Sequence, residues 1–357
     1  MTVTYEQHAE PGEQAEDEGD AAYAARTEQY CARILDLLLP HHRPAGAPAD
    51  TRDDGGDGAD SAEGAEGRSH DSHRPGQCFA EQLAQIRGFV ARREPVLLTL
   101  PAFPCKSPNP AKVAGHLPDL GELLSLRFLD DLCAAIDAVY PPGARLLICS
   151  DGHVFGDLIR VPDAHIDAYG KALRDMIDAN GLRHIDTFGL DQVYDGHTYD
   201  EKRALLEKDY AQSVEELRAE VRAGGPALSH YRGTIRFLVE DTAEWTGSKA
   251  QLQRECRSRA YGVLRRSRAW GELIAHHYRQ TVRLSIHPQA CGSAKFGIAL
   301  LESADNWLTP WHAVVVQTGT DRFRLMKRHE AERVGIPAGP SWRPSHYIAS
   351  ELLGAAS

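Results

Sequence analysis

The chain lacks most of the short signatures that announce a reaction. It has no GxGxxG turn and no GxxxxGK[ST] loop, so it carries neither a dinucleotide cradle nor a nucleotide-phosphate cradle of the usual kinds. It has no GxSxG elbow, no HExxH helix and no HxD pair with a suitable third ligand. Hydrolase triads and zincin chemistry lose their sequence support. No apolar run approaches the roughly 18 residues of a membrane span, and the acidic start MTVTYEQHAEPGEQAEDEGD is not a signal peptide. A cytoplasmic location and no membrane partner are expected. The seven cysteines include no CxxC pair, so free and mostly buried thiols are expected.

An excess of positive charge is also missing. Residues 1–76 hold 17 Asp/Glu against 6 Arg, which accounts for the whole net charge of −11. The remaining residues, 77–357, hold 34 charges of each sign. A balanced folded part argues against nucleic acid as a partner, because phosphate neutralisation needs a basic face. Large apolar side chains are nearly absent from the Gly/Ala/Asp/Ser-rich tract 40–77, which cannot offset its ordering entropy. Residues 1–76 therefore read as an acidic, mostly disordered arm with a possible helix at 21–39, where Ile34, Leu35, Leu38 and Leu39 recur near helical spacing. His41, His42, His70 and His73 lie in the tract as incidental composition. A chain starting near Gln77 is expected to fold, with 77–357 as one catalytic domain; the helix is the segment that can upset this, by docking its Leu face on the core.

From Cys78 onward helices and strands alternate, and strands dominate the end. Helices are expected at 78–92, 119–140, 163–179, 201–222 and 249–277, the last with a possible break at Gly262 or Gly271. Asp119 and Glu122 make a capping-box start, and Leu126, Leu129, Cys133, Ile136 and Tyr140 form an apolar stripe. Strands are expected at 94–100, 144–149, 183–188, 281–287, 296–301, 311–317 and 322–326. The expected fold class is α/β, a mixed β-sheet flanked by helices, Rossmann-like.

The residues that can carry chemistry collect at predicted strand ends. The stretch LPAFPCKSPNPAKV at 100–113 holds four prolines that stiffen a loop carrying Lys106, Ser107, Asn109 and Lys112. Two cations, a hydroxyl and an amide suit an anionic or carbonyl-bearing ligand; a proline-rich connector with solvated lysines fits the loop equally well. Ser150-Asp151-Gly152 follows a strand directly, where α/β sheets bind ligands, although Ser-Asp-Gly is also ordinary turn chemistry. Arg232 and Arg236 can bind phosphate or carboxylate, or simply pair with surface acids. Arg283, Ser285 and His287 share one strand face, opposite Val282, Leu284 and Ile286. Lys295 opens the next strand as an edge residue or an active amine. Trp311-His312 fits an aromatic pocket with an acid/base, and equally a packed core.

Taken in order, several of these segments resemble the isocyanide (isonitrile) synthase family, also described as pyoverdine/dityrosine biosynthesis proteins. The resemblance rests on LPAFPCKSPNPAKV (100–113), LICSDGHVFGDLIRV (147–161), YRGTIRFLVED (231–241), RSRAWGELIAHHY (266–278), VRLSIHPQACGSAKFGIALL (282–301) and WLTPWHAVVV (307–316). It spans about residues 77–347 and leaves the acidic arm outside. The resemblance implies that an L-amino acid, usually tyrosine or tryptophan, gives its amine and ribulose 5-phosphate gives one carbon, forming an isonitrile in secondary metabolism. It calls for no metal or redox cofactor. A separate iron/2-oxoglutarate oxygenase often acts next in such pathways. Chemistry then assigns Lys106, Asp151, His287, Lys295 and His312 as catalytic candidates, with Lys106, Arg283 and Lys295 expected to converge on the anionic substrates. Ser107, Asn109, Lys112, Ser150, Arg232, Arg236, Arg283, Ser285 and Trp311 are substrate-binding candidates, Trp311 as the aromatic wall. The alternatives are a tyrosine N-formylating enzyme of dityrosine type and a non-catalytic ligand-binding protein of the same fold.

Overall fold

The computed structural model describes residues 20–45, 78–303, 305 and 308–354. The disorder expected for 1–19 and for 46–77, with His70 and His73, falls outside these residues. The chain opens with α1 (Asp20–Leu38), then α2 (Ala80–Arg92), β1 (Val96–Leu100), α3 (Leu120–Asp137), β2 (Ala144–Cys149), α4 (Gly152–Ile159), α5 (Asp163–Ala179) and β3 (Ile185–Phe188). Helices α6 (Tyr199–Tyr210), α7 (Val214–Ala223), α8 (Gly225–Asp241) and α9 (Lys249–His277) follow. The end holds β4 (Val282–Ser285), β5 (Phe296–Gly297), β6 (Glu302–Ser303), β7 (Val314–Gly319), β8 (Arg322–Met326), α10 (Arg328–Val334), β9 (Gly335–Ala338), β10 (His346–Ala349) and α11 (Ser350–Gly354).

The expected mixed sheet resolves into two sheets. The first runs β3-β2-β1-β4-β5, and every neighbouring pair in it is parallel. The continuous apolar runs VLLTL and ARLLIC form its centre, because both faces are covered. One face carries the main core, to which α1, α2, α3 and α5 contribute Ile34, Ile86, Leu129 and Tyr169. On the other, Trp270, Leu273 and Ile274 of α9 pack with Leu147, Cys149 and Phe188. The second sheet runs β6-β8-β7-β10-β9 and mixes parallel with antiparallel pairs.

Several local expectations change. The single helix expected at 201–222 is two, because Ser213 and Glu216 form a second capping box and restart the chain. Helix α9 is unbroken; Gly262 leaves room for Leu158, whose side chain would stand 3.0 Å from a Cβ there. The segment 231–241 is helical throughout. The strand expected from 311 begins at Val314, after a 3₁₀ turn over Pro310–His312.

The helix expected at 21–39 belongs to the main core. Cys31, Ile34, Leu35 and Leu38 are buried, Tyr23 donates to the Val90 carbonyl at 2.8 Å, and Arg87 grips Glu28 with two nitrogens. The boundary expected at 76/77 thus divides a packed layer. Residues 41–45 are ordered against β5 rather than part of a flexible tract. His42 packs between Phe79 and Phe296, and His41 stands edge-on to Phe128.

Cys78 and Cys291 form a disulfide, which corrects the expectation of free thiols; the other five cysteines are free and buried. A sequence separation of 213 gives no local signal for this pair. Alkylation of the unfolded, unreduced protein should label five cysteines, rising to seven after reduction. Seven labels before reduction would contradict the pairing.

Candidate active site

In open α/β sheets, ligands bind beyond the carboxyl ends of the strands, where the strand order reverses. Here that point lies between β1 and β4. Three connections leave the sheet around it: residues 101–113 after β1, Ser150-Asp151 after β2, and residues 286–295 after β4. Helix α8 and the 310–312 turn lie against them.

Asp151 is the N-cap of α4, yet its side chain makes no capping bond. Its Oδ1 is enclosed and has no hydrogen-bond partner. Burial pushes its carboxyl up to about 7, against the pull of its own backbone amide. Gly152 is required beside it, because a Cβ there would lie 2.1 Å from the Pro104 carbonyl. Ser150 Oγ donates to the Phe103 carbonyl at 3.0 Å, so it ties the loop after β2 to the loop after β1.

The polar residues of the proline loop have internal partners. Lys106 is wholly buried; its Nζ lies 2.8 Å from both Asp119 Oδ2 and Glu122 Oε2 and donates to the Pro310 carbonyl at 2.9 Å. Burial alone would lower its pKa, but the two carboxylates outweigh this and raise it. Glu122, which also accepts from Tyr169, is pushed by burial up to about 7 despite the lysine. Asp241 Oδ1 accepts from Ser107 Oγ at 2.6 Å and from Lys112 Nζ at 2.8 Å. Asn109 donates to the Glu240 carbonyl at 2.7 Å. These bonds fasten the C-terminal end of α8 to the loop.

Lys106 therefore braces the turn that carries His312 instead of standing in a solvent-reachable pocket. The K106M variant should lose roughly 3–5 kcal/mol, because two carboxylates stay buried without their cation. The loss should grow with pH. Glu122 already has a raised folded pKa; without Lys106 it rises further, so its contribution is full below the unfolded value near 4.5 and disappears as pH climbs through the folded one. Urea melts at pH 5 and pH 8 check this; equal losses at both would contradict it.

On α8, His230, Thr234, Phe237 and Asp241 share a face at helical spacing. The Phe237 ring lies 5.0 Å from that of His312 and 5.6 Å from Lys112 Nζ. His312 is hydrogen-bonded through Nδ1 to Thr309 Oγ1 at 3.0 Å. Burial pushes its pKa down to about 4; Asp241 opposes this, while Lys112 and Lys106 add to it. The Cys105 thiol is pushed up by burial and then by the charges of Asp151 and Asp241.

The third wall comes from β4 and β5. Leu284 pairs with Phe296 and both face the core, so Arg283, Ser285 and Lys295 lie on the other face. His287 continues that face; its N–H donates to Ser285 Oγ at 3.1 Å. His230, His287 and Lys295 are all reached by solvent, yet surrounding protein desolvates each enough to lower its pKa. For His287 burial and then His230, Arg43, Lys295 and His312 bring it down to about 4. His230, Arg43, Lys295 and His312 act on His287, Arg268 and Lys295 on His230, and Arg283 on Lys295, all of them basic groups.

The structure thus groups His287, Lys295, Arg283 and Ser285 on one wall and His312 with Lys112, Ser107 and Asn109 on another, with Asp151 between strand ends. It does not bring Arg232 and Arg236 to the same place. Both are exposed, and they lie roughly 140° and 100° round α8 from Phe237. Trp311 is not a pocket wall: it is buried in the main core, 5.1 Å from the ring of Phe103. His230, Phe237 and Asp241 went unread in the sequence; their i, i+7, i+11 spacing was the available signal, obscured by the apolar Phe237-Leu238-Val239. A separate cavity of about 370 Å³, lined by Pro118, Leu120, Trp342, Arg343 and His346, contains none of the grouped residues.

The family model of pyoverdine/dityrosine biosynthesis proteins matches residues 86–336. The chain belongs to that family. It is 48% identical over 275 residues to the L-tyrosine isonitrile synthase of Pseudomonas aeruginosa, covering 74% of this chain and 83% of that one. It is 42% identical over 283 residues to an L-tryptophan isonitrile synthase of Fischerella ambigua, covering 78% and 86%. The crystal structure of the PvcA protein from Pseudomonas aeruginosa superimposes with a TM-score of 0.77 at 42% identity, covering 90% of this chain and 99% of that one. Within this pyoverdine/dityrosine family, the matched segment contains every grouped residue named above and leaves out α1 and residues 41–45.

Proposed function

We propose that this family member is an isonitrile synthase that converts the amine of an L-amino acid, tyrosine first and tryptophan second, using ribulose 5-phosphate as the one-carbon donor. The observation that carries the reading is the 48% identity to an L-tyrosine isonitrile synthase over 83% of that enzyme's length. The site's chemistry supports it. A wall carrying the basic groups Arg283, Lys295, His230 and His287 suits a phosphate ester and a carboxylate. Imine formation between amine and ketone needs a proton donor for the departing water and a base for the later fragmentation. Asp151, poised near neutrality, and His287 and His312, held neutral, supply those states. Lys106 and Lys112 brace the loop. We also read the parallel β3-β2-β1-β4-β5 order as Rossmann-like. The reading calls for no metal or redox cofactor, and a separate iron/2-oxoglutarate oxygenase would act on the product.

The test is incubation of the purified chain with ribulose 5-phosphate and either tyrosine or tryptophan, followed by product mass and infrared absorption. An isonitrile with one of the two is expected. A formylated amino acid instead would establish the dityrosine-type alternative, and no conversion of either would overturn the substrate assignment.

A further inference from the structure

Residues 41–45 lie outside the family-matched segment, yet they run along the edge of the site. Arg43 N donates to the Gly297 carbonyl at 2.9 Å, Gln289 N donates to the Arg43 carbonyl at 3.0 Å, and Ala45 N donates to the Gln289 carbonyl at 2.9 Å. Gly297 makes this approach possible: a Cβ there would stand 2.5 Å from the Arg43 carbonyl. The Arg43 guanidinium turns inward, and its Nη1 donates to the Ile286 carbonyl at 2.6 Å. That carbonyl belongs to the residue before His287, and Gln289 follows two residues after it. The strap therefore grips the His287 turn from both sides.

We propose that Arg43 is a positioning residue for His287, and that the strap at 41–45 is a working part of the site. The inference rests on the role given to His287 above. Two effects act together. The guanidinium bond fixes the backbone from which the imidazole projects, and its charge opposes a second positive charge on the ring. Among the groups facing His287 are His230 from α8, His312 from the 310–312 turn, Lys295 just before β5 and Arg43 from the strap. Burial lowers the pKa of both other histidines, so near pH 7 they are mostly neutral, and Arg43 and Lys295 carry the charge. Burial lowers the pKa of the guanidinium and Asp305 opposes this; an arginine stays charged throughout this range.

The experiment is an NMR titration of full-length protein labelled in its histidines, with the His287 signal assigned by its loss in H287Q. In R43Q the His287 midpoint should rise by roughly 0.5–2 units, the range expected for removing one neighbouring positive charge from a desolvated group. In R43K it should stay near the wild-type value. An R43Q midpoint within about 0.2 units of wild type would overturn the proposal. If R43Q does not fold, R43K decides: lysine keeps the charge but not the planar donor fork. A fall in kcat of about threefold or more at unchanged KM then supports the proposal, and wild-type kcat overturns it. The titration needs no turnover, so its result stands even if the wild-type protein forms no isonitrile.

Discussion

Replacing Asp151 with Asn will lower kcat by roughly 10²–10⁴, the range for removing a positioned acid/base group, and will leave the fold intact. The carboxyl stands at a strand end with Oδ1 enclosed and unpartnered, and burial brings it to about 7. Asn keeps the shape and cannot exchange a proton. Stability separates this from a structural role. A carboxyl whose folded pKa is raised contributes stability that is full below its unfolded value near 3.8 and is lost as pH rises through about 7. Asn does not ionise, so D151N should become the more stable protein above pH 7 while remaining inactive. Thermal melts at pH 6 and pH 8, read beside the rates, check both parts. A D151N protein with near wild-type kcat would remove Asp151 from the mechanism.

A chain beginning at Gln77 will be insoluble or will melt far below the full-length protein. This reverses what composition alone led us to expect. Removing α1 uncovers the core surface beneath Ile34, Leu35 and Leu38, each buried. Burial of three such side chains is worth about 5–9 kcal/mol, comparable with the whole stability of many domains. The same cut removes the strap at 41–45, which is stitched to Gly297 and Gln289. By contrast, a chain beginning at Asp20 should melt within about 2 °C of wild type. Comparing soluble yield and melting temperature of the two truncations tests the boundary; a fully stable chain from Gln77 would show that α1 is an appendage.

The layers of the fold were legible where the physics is local. The capping box at Asp119 and Glu122, the apolar stripe of α3 and the buried runs at 96–100 and 144–149 announce themselves through period and composition. Division of the strands between two sheets was not legible, because 281–287 and 314–317 both read simply as strands and only long-range pairing sorts them. The site was read in part for the same reason. Asp151, His287 and Lys295 stand at strand ends, which sequence can locate. The destinations of Lys106 and Lys112 depend on carboxylates at Asp119, Glu122 and Asp241, and a charged side chain looks alike in sequence whether it meets substrate or an internal acid. The contribution of residues 41–45 was hidden by the tract that follows them, whose composition masks the few residues stitched to Gly297 and Gln289.

In the proposed reaction the carbon of the isonitrile comes from the sugar phosphate and its nitrogen from the amino acid. The direct measurement is turnover of L-tyrosine with ribulose 5-phosphate labelled with carbon-13 at the ketone carbon, the product being read by mass and carbon NMR. The label is expected wholly at the isonitrile carbon. An unlabelled isonitrile, or label elsewhere in the product, would contradict it.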